Sequence, residues 1–159
     1  MAREPRGDRN SEVKEQSMAV DNPKREVAAE WRTIVGKSGT REFSAAFIAN
    51  PVLEASVLNR ALVGTDAIDA FFGVTAHGLY DSIKFTTETV NGRKTYLEWE
   101  GSVFGKNVGG TTILTRDATG LIESIRLYHQ PLQIVLEFSK EVARRLKDKV
   151  DPNLLSVPD

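Results

Sequence analysis

From Ser82 to His129, apolar and polar residues alternate in four runs, separated by Asn91-Gly92, Gly105-Lys106 and Asp117-Ala118-Thr119-Gly120. Alternation with period two marks strands that bury one face. Asn-Gly between two such runs signals a hairpin, because both central residues must take positive φ. The runs predict a curved four-stranded meander. Upstream the period changes. Val27, Trp31, Ile34 and Val35 recur at helical spacing after Asp21-Asn22-Pro23, and Gly36 to Gly39 end that helix. A short second helix is predicted at about Thr40–Ala49, with Phe43, Ala46 and Phe47 on one side, broken by Asn50-Pro51. The run 52–58 reads as a strand. Gly64-Thr65-Asp66 opens a third helix with Ile68, Phe71, Phe72 and Thr75 inward. After the meander, 131–146 reads as a helix with Leu132, Val135, Leu136, Val142 and Leu146 inward. The organisation is a solvated tail at 1–20, one α+β domain at 21–148 and a loose tail at 149–159.

The turns fix an expected register. Val90 is set against Arg93, Phe104 against Asn107 and Arg116 against Leu121. One face then carries Leu97, Trp99, Val103, Val108, Thr112, Leu114, Ile125, Leu127 and His129. The other carries Ile83, Phe85, Tyr96, Glu98, Glu100, Phe104, Thr111, Ile113, Arg126 and Tyr128. The first is mostly apolar and is expected under the helices. The second mixes aromatics with charge, which suits a contact with another copy of the chain; Tyr96, Glu98, Glu100, Phe104, Arg126 and Tyr128 are its expected members.

Composition narrows the chemistry. The chain has 159 residues and a formal net charge of −1, so no basic field points to nucleic acid or to an anionic membrane. No apolar run is long enough to span a bilayer. The charged N-terminal segment lacks a secretory apolar stretch, and a cytoplasmic location is expected. The absence of cysteine removes disulfides, thiolate nucleophiles and cysteine-based zinc sites. His77 and His129 share no metal-ligand spacing. No metal and no cofactor are expected. The glycines at 105, 109 and 110 do not precede a helix and so do not make a phosphate loop.

NPVLEASVL followed by LVGTDAIDAFF, and GRKTYLEWEG followed by GGTTILTRDATGLIESIRLYHQP, resemble the SnoaL-like branch of the nuclear transport factor 2-like superfamily over residues 21–146. The resemblance implies a cone-shaped, cystatin-like α+β fold with helices packed on a curved antiparallel sheet, a cavity between them and an extra C-terminal helix. Ketosteroid isomerases of this superfamily use a tyrosine on the first helix, an aspartate base after the first strand, a second aspartate on the penultimate strand and an aromatic ending the last strand. Those positions fall at Trp31, Ser56, Thr112 and His129. None of the three polar catalytic groups is retained, and Ser56 and Thr112 cannot act as carboxylate bases near neutral pH. Related epoxide hydrolases and cyclases carry an aspartate where Gln130 stands here.

Register and resemblance together predict a pocket lined by Trp31, Ser56, Leu97, Trp99, Thr112, Leu127 and His129. With no carboxylate or arginine on that face, it suits a small, largely apolar ligand held by a few hydrogen bonds. Three functions fit: a small-molecule binding protein, an isomerase, cyclase or lyase using His129 as general base, and a dimeric scaffold without a ligand. The bland role for His129 is a hydrogen-bonded core histidine. The tail at 1–20 balances its charges and offers almost nothing to bury. Its deletion is expected to leave the melting temperature unchanged in a thermal scan; a large drop would show that it packs on the domain.

Overall fold

The structure, a computed structural model, describes residues 26–151. The expected tail at 1–20 lies outside the described residues, as does the expected C-terminal tail from residue 152 on. Helix α1 spans Ala29–Gly36, a 3-10 turn Phe43–Ala46, strand β1 Phe47–Ala55, β2 Leu62–Val63 and helix α2 Thr65–Thr75. Four long strands follow, β3 Tyr80–Asn91, β4 Lys94–Val103, β5 Lys106–Arg116 and β6 Ile122–Gln130, and helix α3 Leu132–Leu146 closes the chain. The six-stranded sheet has the order β2-β1-β6-β5-β4-β3. Strand β1 runs parallel to β6, and every other pairing is antiparallel. The result is the expected α+β cone, with one curved sheet wrapped over three helices.

The helix expected at Thr40–Ala49 is instead one 3-10 turn followed by the first half of β1. Phe43 and Phe47 are both buried, with ring centroids 4.9 Å apart, so the apolar spacing was real but served a turn and a strand. Pro51 does not end a helix. It lies inside β1, where the pairing with β6 shifts between Phe47 and Val52, a place that tolerates a residue without an N–H.

The hairpin turns sit one residue away from their expected places. Asn91 pairs with Lys94 around Gly92-Arg93, and Val103 pairs with Lys106 around Phe104-Gly105. Moving a turn by one residue moves each partner by two. Side chains repeat every two residues, so the faces survive. Leu97, Trp99, Val103, Val108, Thr112, Leu114, Ile125, Leu127 and His129 are all buried. On β3 the expectation fails. A shift in pairing between Phe85 and Thr87 changes the parity, and Phe85 and Ile83 stand opposite Trp99 and Gly101 on the inner side.

On α3 the buried stripe is Ile134, Val135, Phe138, Val142 and Leu146. Leu132 and Leu136, expected inward, are 72% and 40% exposed. Leu132 opens the helix, so the inner stripe begins two residues later than the sequence suggested. Ser139, fully buried in that stripe, donates to the Val57 carbonyl at 2.8 Å and ties α3 to the chain leaving β1.

One glycine is fixed by a neighbour. Gly110 lies between Trp99 and His129 across the sheet. A Cβ there would collide with the Trp99 indole and the Tyr128 carbonyl. The missing side chain is the space in which the indole lies. Gly110→Ala is expected to cost about 1–3 kcal/mol by overpacking. A lowered urea midpoint together with altered tryptophan emission would check this; an unchanged midpoint would mean that the indole has room to move.

Candidate functional site

A cavity of about 260 Å³ opens between α1, α2 and the inner face of β3–β6. Helix α1 supplies Trp31 and Val35, α2 supplies Phe71 and Phe72, and the sheet supplies Phe85, Trp99 and Leu127. Trp31 meets Phe72 edge-to-face at 5.4 Å, and Phe71 meets Phe72 the same way at 5.5 Å. These contacts hold one wall as a rigid aromatic surface. The polar groups of the interior are already satisfied. Trp99 Nε1 donates to Thr112 Oγ1 at 3.2 Å, and Thr75 Oγ1 donates to the Phe71 carbonyl at 2.9 Å. No buried side-chain nitrogen or oxygen among the described residues lacks a partner.

Of the residues expected in the pocket, Trp31, Trp99, Thr112 and Leu127 share this cavity. Leu97 is fully buried and lies with Trp31 beside a second recess, toward the β3–β4 turn. Ser56 and His129 lie apart from the cavity. Ser56 is exposed in a depression beyond the end of β1, and His129 is packed behind Tyr80 and Trp99. Phe72 and Phe71 were legible as the inner stripe of α2. Tyr80 was not, because the expected strand began at Ser82 and left it in a loop.

His129 is held on several sides. Its ring centroid lies 5.1 Å from Trp99 and 5.0 Å from Phe138. Nε2 is 2.7 Å from the Tyr80 hydroxyl, and Nδ1 is 3.4 Å from Ser56 Oγ. Ser56 Oγ also accepts the His129 backbone N–H at 2.9 Å. If Tyr80 donates to Nε2, the ring proton sits on Nδ1 toward Ser56; the other tautomer reverses both bonds. Burial lowers the imidazole pKa to about 4 and pushes the Tyr80 hydroxyl above the ordinary range for a phenol. Both groups are neutral at pH 7. Such an imidazole is a weak base, and its two nitrogens are engaged.

The outer sheet face presents Tyr96, Glu98, Glu100, Phe104, Arg126 and Tyr128, with Phe104 42% and Tyr128 49% exposed. Phe104 takes φ 55° in its turn, costly for an aromatic residue. Arg126 meets Glu54 at 3.5 Å rather than Glu98 or Glu100. A larger depression, about 1120 Å³, lies on this side but is a wide trough lined by Lys84, Glu98, Glu100 and Asn107. The smaller aromatic cavity is the better-formed small-molecule site, since it is concave and lined mostly by apolar side chains. Among the described residues no group of three or more His, Asp or Glu could hold a metal ion, and no helix is long and apolar enough to cross a membrane.

No protein-family model matches the chain, and no curated protein matches it in sequence. Solved structures do match. A steroid delta-isomerase from Pseudomonas aeruginosa aligns with TM-score 0.67 and 16% identity, over 75% of this chain and 88% of its own. An uncharacterised bacterial protein with a cystatin-like fold from Silicibacter pomeroyi aligns with TM-score 0.65 and 15% identity, over 73% of this chain and 81% of its own. A de novo designed protein with a curved β-sheet aligns with TM-score 0.55 and 20% identity, over 73% and 93%. The fold is the cystatin-like, nuclear transport factor 2-like cone. At these identities the likeness describes the backbone and leaves function to the site itself.

Burial of neutral His129 has a consequence for stability. Its folded pKa, about 4, lies below the ordinary histidine value of 6.5. Between those values the unfolded chain binds the extra proton, so stability rises with pH there. It is complete above pH 6.5 and is lost as pH falls toward 4. The loss between pH 7 and pH 5 is on the order of 2 kcal/mol. Urea unfolding at both pH values should show this drop in the parent protein and a smaller one in His129→Gln. Equal drops would mean that His129 does not titrate as a buried group.

Proposed function

We propose that this protein is a SnoaL-like small-molecule binding protein, cytoplasmic and dimeric, that takes a small, largely apolar molecule into the cavity between Trp31 and Trp99. The observation that carries this reading is the cavity wall itself, aromatic on two sides and with its interior hydrogen bonds already closed. A ligand entering it gains by burying apolar surface, not by satisfying an orphaned polar group. The volume, about 260 Å³, lies just below the range usual for drug-sized ligands and points to a compact molecule. The isomerase, cyclase or lyase reading draws support from the fold's isomerase neighbour, but its general base, His129, stands behind the cavity wall with both ring nitrogens engaged. The ligand-free scaffold gains no comparable support, because this space is not filled by side chains.

Both tryptophans of the chain line the cavity, so intrinsic fluorescence reads occupancy directly. Titration with 1-naphthol should give a saturable change in emission. Ala76→Phe, which projects a ring into the same space, should abolish it while leaving the fold intact by circular dichroism. A saturable response of equal affinity in Ala76→Phe would place the ligand elsewhere.

The homodimer reading rests on the outer sheet face, where aromatics are interleaved with charges of both signs and Phe104 is presented from a strained turn. Lys84 and Arg126 on this side can meet Glu98 and Glu100 of a second copy, as a two-fold contact requires. Sedimentation equilibrium at micromolar concentration should give a dimer, and Tyr128→Glu should give a monomer. A monomeric parent protein would contradict the reading.

A further inference from the structure

We infer that the ligand of this cavity carries an anionic end, a carboxylate, recognised at the mouth by Arg32. The inference rests on the pocket reading above and adds the chemistry of the ligand's outer end. Polar recognition is confined to one place. Inside, Trp99 Nε1 donates to Thr112 Oγ1 and Thr75 Oγ1 donates to the Phe71 carbonyl, so both of those donors are spent. The mostly apolar lining calls for an apolar inner part of the ligand. At the rim, by contrast, Arg32 of α1 brings a guanidinium to the cavity, beside His77 in the turn that follows α2.

Its bonding leaves Arg32 able to act. Arg32 Nη1 donates to Glu26 at 2.7 Å, and the guanidinium has no other partner among the described residues. An arginine has five N–H donors in a planar fork, so several remain for a carboxylate. His77 Nε2 donates to the Val35 carbonyl at 3.2 Å, which holds the ring against the end of α1. The acids on this flank are already engaged. Glu30 meets Arg116 at 3.2 Å, and Glu88 accepts the Ala28 N–H at 2.8 Å. Among the described residues Glu26 alone pairs with Arg32, and it does so from an exposed position. A carboxylate leaving the cavity replaces or shares that contact in a half-dry rim, where charge-assisted hydrogen bonds are about twice as strong as neutral ones. The inferred ligand is a compact monocarboxylic acid with an aryl or alkyl body.

The test compares 4-phenylbutanoate with 4-phenylbutanamide, equal in shape and different in charge, by calorimetry at pH 7.5 with the full chain. The carboxylate is expected to bind at least ten-fold more tightly, about 1.4 kcal/mol. Arg32→Gln should remove that preference and leave amide affinity unchanged, which also shows that the cavity is intact. Arg32→Lys should restore part of it. Equal binding of the two probes, or a carboxylate preference that survives Arg32→Gln, overturns the inference while the pocket stands. Binding of neither probe overturns the pocket and the inference together.

Discussion

The placement of the Trp99 indole organises the interior. The ring lies over Gly110, where any other residue would collide with it, and its Nε1–H is closed by Thr112. From that position it meets Tyr80 edge-to-face at 5.7 Å and His129 at 5.1 Å, while another part of the same side chain faces the cavity. Together with Tyr80 this buried side chain forms a wall. On one side is a mostly apolar space under α1 and α2. Behind it a hydrogen-bonded chain starts at Tyr80, itself part of the cavity lining, and runs through His129 to Ser56.

That arrangement bears on the functional readings. A histidine serving as general base needs access to the substrate and a pKa near the working pH. His129 has neither, because Trp99, Tyr80 and Phe138 surround it and burial keeps it neutral. Its hydrogen bonds join β6 to the start of β3 and to the chain leaving β1, which is a structural task. The cavity itself is lined mostly by apolar and aromatic side chains. The fold supports this division of labour without requiring it, since the same cone carries a steroid isomerase and a designed protein.

Much of this was legible in the sequence, and the gaps have physical causes. The buried face of β4, β5 and β6 could be written down because strand parity survives a turn displaced by one residue. Ile83 and Phe85 were misplaced because a local change of pairing near residue 86 alters parity, and no residue type there announces it. The stretch 40–49 was read as helix because Phe43, Ala46 and Phe47 fit a helical stripe as well as a turn entering a strand. Trp31, Trp99, Thr112 and Leu127 lie around one cavity. Ser56 and His129 were grouped with them by a resemblance that gives position along the chain, not which side of Trp99 a group occupies. Tyr80 escaped notice because β3 begins two residues before the alternation becomes visible.

The central claim is that a stable, mostly apolar space lies between Trp31 and Trp99. Apolar cavities of this kind take up xenon, whereas polar ones hold ordered water. A crystal pressurised with xenon tests the claim most directly. Xenon is expected between the two indoles, against Phe72 and Leu127, with the walls unmoved. Ordered water hydrogen-bonded through that space, or side chains collapsed into it, would contradict the account.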